Sequence, residues 1–434
     1  MAKPNPNDPV LIVGAGITGL ILAHALKQKN IPFIIYERDP TPSSRHQGWA
    51  LTLHWALQYL PSLLSRETLA QIETETQVDP EIAKNDSGNF LFLNLATGDV
   101  KWRIPPNKRW RVNRERFRGV LIRELGRDAG AGGTDTDSHT HTHIQWGRKV
   151  EGVTFDESGR PRLLFLNGEE EKEEESIPGR LVIGAEGSHS AIRQFLRPDN
   201  YVNSQLPIRF TGVAVDLSAD EVAPLRAMDP LLFQGCHPET GIFLWFSMLD
   251  TPEREHEHLH ERPSKESKSK ARPYRAQLGL SWSVRSPSDE VPPTDAERLS
   301  NMKRRAAGFA PFLYETIQRI PEGTPVVEVK LADWECEPWD NREGTVTLAG
   351  DAAHAMTMYR GEAGNHGILD IFHLVPAIEK IYAGADAKGA IDAYESEMRE
   401  RTQRAVRLSR QACFDAHDWE SLNEDSAILA RRKL

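Results

Sequence analysis

Residues 10–39, "VLIVGAGITGLILAHALKQKNIPFIIYERD", constrain the fold more than any other part of the chain. The apolar run at 10–13 reads as a buried strand, 17–29 as a helix, and 32–39 as a second strand ending in charges. That order makes a βαβ unit and predicts a parallel sheet as the nucleus of an α/β fold. Between strand and helix, Gly14, Gly16 and Gly19 stand in G-x-G-x-x-G spacing. In this setting the glycines permit a tight turn, close approach of a pyrophosphate, and close packing of helix on sheet. The pyrophosphate meets free backbone N–H groups and the helix dipole, equivalent to roughly half an elementary charge. Glu37 ends the second strand, where a carboxylate accepts from ribose hydroxyls and disfavours a 2′-phosphate. The site therefore suits FAD or NAD better than NADP, with Arg38 beside it able to soften that preference.

The whole chain sets further bounds. It has 434 residues with a formal net charge of −10, which argues against a broad nucleic-acid footprint. Its three cysteines, Cys236, Cys336 and Cys413, are widely spaced and form no C-x-x-C pair. Reduced thiols in an intracellular, cytoplasmic setting are expected. The opening "MAKPNPNDP" has no apolar signal core. The uncharged run at 10–26 carries three glycines and His24 and falls short of the ~20 residues of a membrane span.

Further along, residues 48–64 start as a strand and turn helical. Residues 111–125 place Val112, Phe117, Val120, Leu121 and Leu125 at helical spacing after an extended start. The low-complexity loop 130–143 carries His139, His141 and His143, but no converging ligand set with a supporting shell, so no metal site is assigned. The acidic block 169–175 reads as a solvated hairpin tip or insertion. Between about 205 and 330, "IRFTGVAVDL", "LLFQG", "IFLWFSML" and "AQLGLSWSV" read as strands of a separate sheet, interrupted by a polar insertion at 253–275. Beyond 345 the chain returns to strand, Gly-rich turn and helix, then a long amphipathic helix from about 387 to 416. The expected architecture is a Rossmann-like nucleotide domain with inserted strands (1–200), a mainly β substrate domain interleaved with it (201–330), and a return to the first domain with C-terminal helices (331–434).

Three dispersed segments sharpen this reading: the opening just quoted, "LVIGAEGSHSAIR" at 181–193, and "GDAAHAMTMYRGEAGNHGILD" at 350–370. Together they resemble the three fingerprints of the single-component (group A) FAD-dependent monooxygenases, the aromatic-hydroxylase-like family, in the form found in fungal natural-product pathways. The resemblance implies that Gly14, Gly16, Gly19, Glu37 and Arg38 hold the ADP end of FAD. It further implies that Arg45 precedes the flavin-side strand and that Arg114 contacts FAD phosphate or ribitol. Glu186, Gly187 and Arg193 fall in the FAD-phosphate or nicotinamide region, Glu186 standing where the family has Asp. Asp351 is implied as a ribitol acceptor. Gly361, Gly364 and Asn365 mark a helix entrance whose backbone N–H groups face the flavin N1/O2 edge. Met358 replaces a frequent Pro and Ala363 a frequent Gly. The loop is therefore expected to place the flavin differently, or to pass the turn to a neighbouring glycine.

In such a family NADPH (or NADH) reduces FAD, the reduced flavin captures O2, and a C4a-hydroperoxide oxygenates an aromatic or polycyclic small molecule. Hydroxylation is the expected outcome, with epoxidation or Baeyer–Villiger oxidation as alternatives. No second G-x-G-x-x-G supplies a separate nicotinamide domain. "KWRIPP" at 101–106 carries only part of the halogenase W-x-W-x-I-P. The departures at 186, 358 and 363 leave open a flavin-scaffold binding protein without oxygenase activity. Phe233, Phe243, Trp245 and Phe246 are candidates both for the substrate wall and for core. His54, Tyr359 and His366 are candidate bases, and no catalytic residue is assigned. Substrate identity and oligomeric state are not legible.

Overall fold

The structure is a computed structural model describing residues 7–44, 48–106, 108–127, 143–167, 172–252 and 273–432. Arg45, His139, His141, part of the acidic block and most of the 253–275 insertion lie outside the described residues. His143 is described, and its ring stacks on Phe33 at 4.7 Å between centroids.

A five-stranded parallel sheet runs in the order Val346–Leu348, Leu181–Gly184, Val10–Val13, Phe33–Glu37, Ile144–Trp146. Strands Val346–Leu348, Leu181–Gly184 and Val10–Val13 are wholly buried, as parallel strands covered on both faces must be, which accounts for their unbroken apolar sequence. Helix Ile17–Gln28 crosses over between the first two strands and packs on helices Arg114–Arg127 and Ala363–Tyr382.

Register positions the site. Val13 lies beside Gly184, and Gly184 beside Leu348. The ladder continues one residue further, Ala185 N donating to Val13 O at 2.8 Å and Ala349 N to Gly184 O at 2.9 Å. All three fingerprint turns therefore leave the same C-terminal edge side by side, where open parallel sheets bind ligands.

A second, seven-stranded sheet runs Val327–Glu328, Ile208–Leu217, Tyr274–Ser283, Phe243–Asp250, Leu232–Cys236, Phe90–Asn94, Val100–Ile104. Its last two strands come from inside the segment assigned to the first domain, because Phe90–Asn94 pairs in parallel with Leu232–Cys236. Side chains alternate across this sheet. Leu244, Phe246 and Met248 join a core with helices Ala219–Met228, Asp295–Arg305 and Pro311–Gln318, whereas Phe243 and Trp245 pack with Tyr359. An antiparallel pair, Ala50–Leu53 with Trp110–Asn113, joins the two sheets; Arg111 Nη2 donates to Ser247 Oγ at 2.5 Å.

Candidate active site

The first turn is built for a close ligand. Gly14 has φ 101°, and a Cβ there would meet Glu186 Cα at 2.7 Å. A Cβ on Gly19 would meet Gly14 O at 2.2 Å, so helix and turn pack only because it is absent. At Gly16 the nearest neighbour of a Cβ is Ala185 O at 3.8 Å, which leaves open space over the helix start. That helix has no side-chain cap, so its first N–H groups keep their donor capacity. Glu37 is buried and shapes this loop itself: Oε2 accepts from Ala15 N at 2.8 Å and Oε1 from Asp39 N at 3.0 Å. A carboxylate offers about four lone-pair sites, so capacity for ribose hydroxyls remains. Arg38 is exposed.

Arg118 was not selected from the sequence, yet its Nε donates to Ala15 O at 2.8 Å and its guanidinium lies over Trp146. It follows Arg114 by four residues on one helix face, the spacing that flags it in retrospect. Arg114 is half-buried, and its charge acts on Asp351.

In the second turn Glu186 Oε1 accepts from Ser190 Oγ at 2.7 Å and Ile192 N at 2.9 Å. Its Oε2 is buried without a hydrogen bond among the described residues, and burial raises its carboxyl pKa. Gly187 takes φ 86°. Arg193 is 1% exposed, and its guanidinium donates to Tyr201 O, Ser188 O, Asn203 Oδ1, Asp351 O and Ala352 O while stacking on Trp334. The structure thus gives it a bracing place between the second and third fingerprints, where a phosphate or nicotinamide contact was expected. Burial lowers its pKa to about 10.

In the third turn Gly350 has φ 64°, and a Cβ would meet Thr18 Oγ1 at 2.8 Å, which seats this turn on the first helix. Asp351 is exposed to solvent although protein crowds it closely, the condition of a group on a cleft wall. Desolvation raises its carboxyl pKa, opposed by His354, Arg114 and Arg193. Asp370 is fully buried. It accepts from Gly350 N at 2.7 Å, His354 Nε2 at 2.6 Å and Arg401 Nη2 at 2.8 Å. Burial would raise its pKa, but His354 and Arg401 hold it far below the carboxylate range.

The helix entrance resolves the two departures in the loop. Gly361 carries the left-handed turn at φ 63°, and Ala363 already begins the helix, where backbone geometry makes no demand for glycine. Met358 opens a 3-10 turn. A Cβ on Gly364 would meet Leu51 Cδ1 at 3.2 Å. Asn365 is fully buried: Oδ1 accepts from His54 N at 2.9 Å, and Nδ2 donates to Thr52 O at 3.0 Å and Gly361 O at 3.2 Å. Its side chain pins the strand end to the entrance.

Against this entrance lies a pocket of about 60 Å³ whose lining includes Thr52, His54, Trp245, Tyr359, Gly361 and Arg432. Of the four aromatic candidates only Trp245 lines it; Phe233 and Phe246 stack on each other in the core, and Phe243 packs on Tyr359. Tyr359 keeps its proton, since burial raises its pKa well above the usual range, and its hydroxyl donates to Ser281 Oγ at 2.8 Å. His366 does not line the pocket; its Nδ1 meets Arg401 Nη1 at 2.9 Å, and burial keeps it neutral. His54 does line it, and burial lowers its pKa to about 4.

Among the described residues no three His, Cys, Asp or Glu are grouped to hold a metal. Among them, too, no helix is long and apolar enough to cross a membrane. Residues 324–409 match the FAD binding domain family and residues 12–67 the NAD(P)-binding Rossmann-like domain. The chain is 40% identical over 418 residues to the FAD-dependent monooxygenase dbaB of Emericella nidulans, covering 95% of this chain and 97% of that one. It belongs to the FAD-dependent monooxygenases. A second such monooxygenase, tazP of Aspergillus terreus, is 33% identical over 392 residues, covering 84% of this chain and 88% of its own. Among solved structures, 2,6-dihydroxypyridine-3-hydroxylase from Arthrobacter nicotinovorans aligns with TM-score 0.69 and 16% identity, covering 98% and 97% of the two chains. Klebsiella pneumoniae HpxO, solved with FAD and uric acid, aligns with TM-score 0.66 and 18% identity over 94% and 89%. These two show a shared fold. FAD is the cofactor of this monooxygenase family, and the glycine cradle, the uncapped helix and the cleft-wall acid fit it.

Proposed function

We propose that this monooxygenase uses NAD(P)H and O2 to hydroxylate an aromatic or polycyclic small molecule in fungal secondary metabolism, inside the cell. The observation that carries this reading is the register that sets three fingerprint turns on one sheet edge, with a pocket against the Gly361 entrance. Gly14, Gly16 and Gly19 make room for the pyrophosphate, Glu37 takes the ribose, and Arg114 and Arg118 supply positive charge beside it. Asp351 holds the ribitol. When bound, FAD supplies electron transfer from the nicotinamide coenzyme and the activation of dioxygen. The chain supplies orientation: the first N–H groups of helix Ala363–Tyr382 meet the negative edge of the ring system, and the apolar pocket wall keeps water out.

The purified protein is expected to be yellow and to bleach when NADPH or NADH is added anaerobically with aromatic candidates present. Flavin that stays oxidised with both coenzymes supports the binding-protein alternative instead.

A further inference from the structure

The pocket against the Gly361 turn has a volume of about 60 Å³, whereas sites for drug-sized ligands span roughly 300–1,000 Å³. A polycyclic ligand therefore needs one wall to move. Phe90, Ile104, Leu232 and Trp245, which form part of the lining, belong to the seven-stranded sheet and are held by its ladder. Two residues along from Phe90, Ile104 and Leu232, and so on the same face, a row crosses four strands: Trp245, Gln234, Phe92 and Trp102 are register partners in turn. Gln234 is 0% exposed, and both of its amide atoms are buried without a hydrogen bond among the described residues. Trp102 Nε1 is buried in the same condition. An amide enclosed without partners is costly, and native folds keep few of them. The row thus continues the pocket floor as aromatic rings with unused N–H donors.

The cover over this row is the last segment of the chain. Trp419 stacks on Phe92, with 6.5 Å between centroids and 28° between planes. Leu422, Ala427, Ile428 and Leu429 join the apolar cluster that contains Phe92 and Trp245. Among the described residues, the backbone of 419–430 bonds within 418–432, to Asp415 at the end of the preceding helix, and to Arg360, which donates to Ala427 O. Its far end is tied where Arg432 donates to the carbonyls of Tyr359 and Arg360. Residues 418, 420, 421 and 423–425 are exposed, so Trp419 and Leu422 are the apolar contacts of the middle. That middle can lift without breaking a helix or a sheet.

We propose that Trp419 is a removable plug over an inner compartment of the substrate site, and that Gln234, with Trp102, reads a ring ketone at the far end of a polycyclic substrate. The ligand displaces Trp419 from Phe92, and its ketone oxygen accepts from Gln234 Nε2. The inference rests on the proposed function and narrows its substrate class to polycyclic aromatic ketones. Gln234 determines specificity by contact; Trp419 is a gate.

The test uses the oxidised holoenzyme without turnover and two tricyclic probes of one shape, 9-fluorenone and fluorene, read by calorimetric titration. The parent should bind fluorenone roughly tenfold tighter than fluorene, the strength of one buried hydrogen bond. Gln234→Leu should bind both alike and melt no lower than the parent, because an unpaired amide gives way to an apolar group of similar size. A lower melting temperature would mean that internal water pairs the amide, which would overturn its role as reader. Trp419→Ala should tighten the binding of both probes by at least about tenfold, since an open state populated at about 10% or less becomes the ground state. In the parent, cleavage after Glu420 and Glu424 by a glutamate-specific protease should quicken several-fold when fluorenone binds. Unchanged or slower cleavage, unchanged affinity in Trp419→Ala, equal affinity of the parent for the two probes, or binding of neither would overturn the inference. A holoenzyme that binds fluorenone in this way yet oxygenates nothing counts against the proposed function alone.

Discussion

In the proposed function, Asp351 is the residue on which cofactor retention turns. It sits in the cleft wall within reach of the charges of Arg114 and Arg193, and its helix is braced by Arg193 through two backbone carbonyls. A hydrogen bond to a charged group contributes about 1.5–3 kcal/mol, so Asp351→Ala should weaken FAD binding roughly tenfold to a hundredfold. The ratio of flavin to protein absorbance after purification reads this directly. Full occupancy in that variant would remove the ribitol role. Arg193, by contrast, spends its guanidinium mainly on main-chain carbonyls of the second and third fingerprints.

At the scale of elements, helix Ala387–Asp415 buttresses the nucleotide sheet through Glu395. That side chain is buried and accepts from Thr347 Oγ1 at 2.7 Å, Trp339 Nε1 at 2.9 Å and Asn341 Nδ2 at 3.1 Å. Burial nevertheless raises its pKa to about 7, above the ordinary value of 4.5. Between those values the folded chain holds a proton that the unfolded chain has lost, so Glu395's contribution is full below pH 4.5 and declines as pH rises through 7. Glu395→Gln cannot ionise. Its stability relative to the parent should therefore rise between pH 4.5 and 8, by up to ~3 kcal/mol, in denaturant titrations. A pH-independent difference would contradict this.

The same scale shows what was readable beforehand. The βαβ opening, the strand-to-helix switches at 48–64 and 111–125 and the C-terminal helix were legible because each rests on local periodicity and glycine chemistry. The pairing of Phe90–Asn94 with Leu232–Cys236 was not, since register between distant strands leaves no local mark. For the same reason the sequence marks Asn365 only as part of a helix entrance, and its distant partners reveal its side chain as a buried clamp. The place of Arg118 likewise depends on what the fold brings near.

At the scale of the whole molecule, the fold brings Arg432 into the lining of the same pocket as Thr52 and His54, nearly four hundred residues earlier. Arg432 donates to Ile428 O and Ala430 O on its own segment, and to Tyr359 O at 3.2 Å and Arg360 O at 3.4 Å in the turn before the helix entrance. Arg432→Met should loosen that closure and admit water. Coenzyme oxidation should then outrun product formation, measured as a rise in hydrogen peroxide per NAD(P)H consumed; unchanged coupling would mean that the contact is only structural. The central claim is that these parts serve oxygen insertion into an aromatic ring. The most direct test supplies the holoenzyme with NADPH or NADH, heavy-oxygen dioxygen and a panel of hydroxylated aromatic and polycyclic compounds, then weighs the products. The account predicts a flavin-dependent product carrying one atom of the heavy label on the ring; a product whose new oxygen comes from water, or no labelled product from any compound that binds, would contradict it.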